Sequence, residues 1–209
     1  MAAEASGLAF FVAAIVLAVT PGPGIAYVAA RTAAGGRAEG LASCLGTALG
    51  GLVHVGAASL GLSVLLVQSA MAPTIVKYVG AAYLVFLGLR LLIRGAGRAA
   101  TSTVVAAGVC KAVRDGMLVE AFNAKTALFF LAFLPQFVSP GAAIGVQLAL
   151  MGAICVVLNT LVDVLAVLAC DRLLRSNVGR VRRERVLARA SGITMVSLGL
   201  YVALARRGT

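Results

Sequence analysis

The sequence predicts an all-α membrane protein: six transmembrane helices forming two inverted three-helix repeats, the first helix broken at Thr20–Gly24. Three observations lead there. Hydrophobic residues fill 61% of the 209 positions, with 24 glycines besides, and only 12% are charged. A soluble domain averages about 45–50% apolar with glycine included and about 25% charged. Mean hydropathy is +1.04. Finally, residues 5–30, 40–76 and 126–162 carry no charge at all, and about 20 helical residues suffice to cross a 30 Å hydrocarbon core. A soluble fold of this length needs more polar surface, and disorder needs low hydrophobicity. The solvent is lipid.

The first uncharged run gives a span at Leu8–Ala30. The second is long enough for one helix, Leu41–Val67, a turn, and the start of another, Ala72–Ile93. The third likewise holds most of Met117–Val138 and Ile144–Cys170, and a last apolar stretch gives Val186–Ala205. Lys77 and Arg90 in the third span, and Arg189 in the sixth, reach the headgroups along their aliphatic stems. The chain divides into one integral membrane domain over 1–209. Residues 1–94 form one repeat and 117–209 the other. Residues 95–116, rich in Gly, Ala, Ser and Thr, form a cytoplasmic connector. Leu-Gly-Leu at 87–89 and again at 198–200 supports the division. An odd number of spans per half inverts one half against the other, as in many secondary transporters.

Lys and Arg set the orientation. Fourteen fall in or beside three loops: Arg31 and Arg37; Arg90, Arg94, Arg98, Lys111 and Arg114; and Arg172, Arg175, Arg180, Arg182, Arg183, Arg185 and Arg189. Three, Lys77, Arg206 and Arg207, fall on the other side. Positive loops face the cytoplasm, so both termini are expected on the periplasmic side of a bacterial inner membrane. Met1–Gly7 holds Glu4 and no basic residue, unlike a signal peptide, so the first span is expected in the mature protein. The net charge of +11 is anchoring charge beside anionic lipid and does not imply nucleic-acid binding. Cys44, Cys110, Cys155 and Cys170 show no CxxC spacing and act as small apolar fillers.

Function is expected where the chain violates what lipid prefers. Thr20-Pro21-Gly22-Pro23-Gly24 interrupts the first span, where two prolines remove two donors and leave carbonyls unpaired one turn earlier. Such carbonyls persist at membrane depth only if protein, water or solute satisfies them. The break is either a packing kink or a site presenting backbone groups and the Thr20 hydroxyl to a substrate. Asn123 and Lys125 make the second violation: counted from Met117, Lys125 lies near the midplane, at a cost of at least about 2.5 kcal/mol without an anion or water. Glu120, in the first turn by the same count, is expected at the interface, favoured by the helix dipole. Asn159 and Asp163, at i and i+4, share a face of the fifth span. Asp163 is either a proton carrier or the partner of Lys125, a structural ion pair being the plain alternative. His54 suits proton coupling by its unperturbed pKa, or makes one helix–helix hydrogen bond. Gly46-x-x-x-Gly50 permits close helix packing. No nucleophile–base pair, HExxH motif or cofactor fingerprint appears, so neither an enzyme nor a bound cofactor is expected.

Taken in order, these residues resemble the LysE/RhtB family of amino-acid exporters. The match runs from Phe10-Phe11 into Thr20-Pro21-Gly22-Pro23. It continues through Gly40-Leu41, Gly46–Gly50, Val53-His54 and 80–90 to the long stretch Asn123–Phe137, with Asp163 following. The resemblance implies a proton-driven secondary transporter exporting amino acids or small derivatives, with a second copy of the chain as a candidate partner. In it Thr20, Pro21, Gly22, Pro23, Gly24, Asn123 and Lys125 would bind substrate. Asp163, Asn159 and His54 would handle the proton. Two positions depart from the family. Ala124 stands where Asn-Pro-Lys is usual, which predicts a straighter fourth helix, and Gly51 stands where an acid is frequent. Export of a metal ion or another toxic solute, with Asp163, Asn159 and His54 converging, and a non-transporting scaffold are the alternatives. A scaffold has no need of Lys125 and Asp163 in lipid.

Overall fold

The computed structural model describes residues 2–62, 106–139 and 143–173, and part of the positions in 71–93 and 193–204. These residues are helical, with no strand among them. α1 (Ala2–Val19) runs to the proline break, and α2 (Pro23–Ala57) resumes beyond it. α3 (Val109–Ala121) and α4 (Ala124–Ala132) follow, then α5 (Ile144–Leu173). The third and sixth predicted spans lie partly or largely outside the described residues, as does the arginine-rich stretch 172–189; described positions within 74–93 and 193–204 are helical.

α2 is hydrogen-bonded along its length but folds back on itself. Gly24 and Thr47 would be about 35 Å apart on a straight helix at 1.5 Å per residue. Here a methyl group on Gly24 would lie 3.9 Å from Thr47 Cγ2, and Val28 packs with Cys44. The reversal is at Gly36, whose φ of +71° is open to glycine and strained for residues with a Cβ. The loop expected at 31–40 is thereby reduced to one residue, and both arms stay helical up to it.

The second arm of α2 packs on α3 through glycine. A Cβ at Gly50 would sit 2.5 Å from the Met117 carbonyl oxygen, and one at Gly116 would sit 2.9 Å from that of Ser43. This close backbone approach is what the Gly46/Gly50 spacing predicts. α3 starts eight residues before the predicted Met117, so the end of the expected connector is helix.

The fourth span is bent rather than straight: the α3 axis meets its continuation at 45°. Ala124 supplies no proline, and Asn123 breaks the helix instead. Asn123 is extended (φ −74°, ψ 101°), and its Oδ1 accepts the Lys125 N–H at 3.0 Å. An asparagine side chain offers the backbone this alternative to continued helix.

Polarity is inverted relative to a soluble protein. Leu8, Phe11, Leu45, Leu52, Leu150, Leu161 and Leu165 point outward, while Arg31, Glu39, His54, Glu120, Asn123, Lys125 and Asp163 are buried. Among the described residues, Pro23–Gly61, through its longer arm after Gly36, and Ile144–Cys170 are long and apolar enough to cross a membrane, and the bent α3–α4 pair adds a third candidate.

Candidate functional site

The two breaks meet. Pro21 has no N–H for the Leu17 carbonyl, and at the start of α2 the Thr20 carbonyl has no intrahelical donor. Lys125 supplies both: its Nζ donates to Leu17 O at 3.1 Å and to Thr20 O at 2.8 Å. At the other break His54 Nε2 lies 2.8 Å from the Glu120 carbonyl oxygen, which also accepts the Asn123 N–H at 2.9 Å. A carbonyl only accepts, so His54 carries its proton on Nε2 in this contact. Lys125 thus closes the loose carbonyls of the first break, while His54 adds a second donor to a carbonyl that the backbone already serves.

Beside the breaks lies a cavity of about 20 Å³, lined by Gly24, Thr47, Gly51, Glu120, Asn123, Lys125, Thr126, Phe130, Asn159 and Asp163 among others. That is room for about one water. Glu120 is 6% exposed. Its Oε2 accepts from Asn123 Nδ2 at 2.9 Å and its Oε1 from the Thr126 hydroxyl at 2.5 Å. Asp163, 4% exposed, accepts from the Thr47 hydroxyl through Oδ2 at 2.8 Å. Among the described residues its Oδ1 takes no hydrogen bond, and the Asn159 amide makes none either. Lys125 forms no ion pair with Glu120 or Asp163 within 4.0 Å. Its attraction to them acts across the cavity.

Two side-chain clusters lie beyond the cavity lining, one on either side. Toward the N-terminus of α1, Phe129 stacks on Phe133 at 4.8 Å, Phe133 meets Phe137 at 4.9 Å, and Phe10 meets Phe137 at 5.7 Å. Toward the Gly36 turn, Arg31 lies 3.1 Å from Asp115 and 3.6 Å from Glu39, with its Nε donating to the Tyr27 hydroxyl at 3.0 Å. Glu39 Oε1 in turn accepts the N–H groups of Ala107 and Gly108.

The sequence matches the LysE type translocator family over residues 15–206. The chain belongs to that family. A membrane protein of Pseudomonas aeruginosa is 33% identical over 88% of both chains, and one of Vibrio cholerae is 30% identical over 74% of this chain and 76% of its own. A leucine efflux protein of Salmonella typhimurium is 30% identical over 62% of this chain and 61% of its own. No solved structure matches. The chain is thus a bacterial membrane translocator.

Within this LysE type translocator, the expected site residues divide into two groups. Gly24, Asn123, Lys125, Asn159 and Asp163 line the cavity. Thr20, Pro21, Gly22 and Pro23 build the break next to it; the Thr20 hydroxyl donates to the Val16 carbonyl at 2.6 Å, and a Cβ at Gly22 would lie 3.2 Å from the Lys125 side chain. His54 sits behind Glu120, at the backbone. Among the described residues no three His, Cys, Asp or Glu side chains gather where they could hold a metal ion. Glu120 is buried in the protein rather than placed in a helix's first turn. With α3 beginning at Val109 it stands in the last turn of that helix, its carboxylate against the first turn of α4. Thr47 and Thr126, unremarkable in a sequence, are its neighbours and those of Asp163.

Proposed function

We propose that the protein exports amino acids or small amino-acid derivatives, driven by the proton gradient, through alternating access of two inverted three-helix repeats. Both termini face the periplasm in this scheme. The observation that carries it is the meeting of two interrupted helices around one buried ammonium and two buried carboxylates. The N-terminal ends of α2 and α4 both reach the cavity, and helix N-termini favour anionic groups. Lys125 has three donors and spends two on backbone, leaving one for a substrate carboxylate. Gly24 and Asn123 add backbone and amide hydrogen bonds, and Asp163, with Asn159 beside it, carries the proton.

A cavity of about 20 Å³ admits no amino acid, so loading requires the helices to part. The phenylalanine cluster is the periplasmic closure in this scheme and the Arg31–Glu39–Asp115 network the cytoplasmic one. The test is efflux of a mixed amino-acid pool from proteoliposomes with and without an imposed pH gradient, read by mass spectrometry. Selective, gradient-dependent loss of one or a few amino acids is the expected result; equal loss with and without the gradient refutes proton coupling.

A further inference from the structure

Buried charge in this cavity does not balance. Glu120 and Asp163 both line it, and every hydrogen bond they accept comes from a neutral donor: Asn123, Thr126 and Thr47. Lys125 is turned away to the Leu17 and Thr20 carbonyls. Among the described residues, His54 is occupied by the Glu120 backbone and Arg31 by the ion-pair network beyond, so no other described cation is directed at either carboxylate. Two carboxylates at membrane depth are costly without a cation or protons. Asp163 Oδ1, in a residue 96% buried, accepts nothing from the described residues and borders the open space.

We infer that Glu120 and Asp163 together form the ammonium subsite, and that Glu120 makes a free amino group obligatory in the substrate. This rests on the amino-acid reading above. The polarity of the cavity fits it: anionic groups meet Lys125 and the two helix N-termini, and a cationic group meets the carboxylate pair. Glu120 is held for this role from both sides. A Cβ at Gly24 would meet Glu120 Oε2 at 2.7 Å, so only glycine leaves the carboxylate its place.

The discriminating probe is a pool of L-amino acids together with their 2-hydroxy acid counterparts, which replace the ammonium by a hydroxyl at nearly constant shape. In wild-type proteoliposomes, the exported amino acid should be preferred over its hydroxy acid by at least about 100-fold, because the hydroxyl leaves the carboxylates without a cation. Glu120→Gln should reduce that preference to below about 10-fold, since a neutral amide no longer distinguishes the two. Glu120→Asp should retain part of it. Transport of amino acid and hydroxy acid at equal rates by the wild type overturns the inference, and needs no variant to fold. An unchanged preference in Glu120→Gln overturns it as well. Failure of the wild type to move any amino acid refutes the amino-acid reading itself.

Discussion

Replacing Lys125 by Met tests whether the lysine holds the two helix breaks together. The substitution keeps an unbranched side chain, shorter by one atom, and removes the donor to Leu17 O and Thr20 O. Hydrogen bonds involving a charged group contribute about 1.5–3 kcal/mol each, so about 3–6 kcal/mol is lost. Removing an ammonium from membrane depth returns at least about 2.5 kcal/mol. The difference is a destabilisation of about 0.5–3.5 kcal/mol, or roughly 1–14 °C for a chain of this size. The protein has no tryptophan, but Cys44 and Cys155 are buried free thiols, and a maleimide dye reports their exposure on heating in detergent. Pro21→Ala supplies the second arm of the experiment. It restores an N–H four residues after Leu17, so in the Lys125→Met background it should recover about 1 kcal/mol that it does not confer on the wild type. An unchanged melting midpoint in Lys125→Met, or strict additivity in the double variant, refutes the capping by Lys125.

Asp163→Asn should insert and fold yet show no gradient-driven efflux in proteoliposomes; wild-type efflux removes Asp163 from coupling. Gly50→Ala places a methyl group 2.5 Å from the Met117 carbonyl oxygen, and this overpacking of backbone should lower stability by about 1–3 kcal/mol. Gly56→Ala, with nothing within 4 Å, should be neutral or gain up to about 1 kcal/mol by helix propensity in the same thermal assay. Arg31→Gln strands Glu39, whose side chain is 7% exposed, and should cost about 3–5 kcal/mol, with Arg31→Gln/Glu39→Gln regaining part of it in the same melt.

Much of the candidate site is legible in the sequence because lipid makes polar residues conspicuous. Asn123, Lys125, Asn159 and Asp163 stand out for their cost at membrane depth, and all four border one cavity. Glu120 is the instructive exception. Its sequence position allows an interfacial role only if the helix begins near Met117, and the true start at Val109 moves it by two turns into the interior. The stretch 106–116 is short and charged, with none of the apolar length that marks a span, and Glu39 binding the N–H groups of Ala107 and Gly108 is a contact across 68 and 69 residues. Ala124 taught a similar lesson. The bend there comes from Asn123, whose capping geometry needs a Glu120 and a Thr126 correctly placed around it.

The sequence by itself determined that this protein lives in lipid, that its first helix breaks at the prolines, and that a lysine and an aspartate are buried. Those follow from properties of single residues: transfer free energy, a missing N–H, a charge with nowhere to go. The tertiary structure alone decided which orphaned carbonyl meets which donor. Lys125 reaches Leu17 across 108 residues and Thr47 reaches Asp163 across 116, and the Gly36 reversal brings the arms of α2 side by side. Pairings of that range depend on how the helices pack, and so does the surplus of carboxylate over cation that they leave around the cavity.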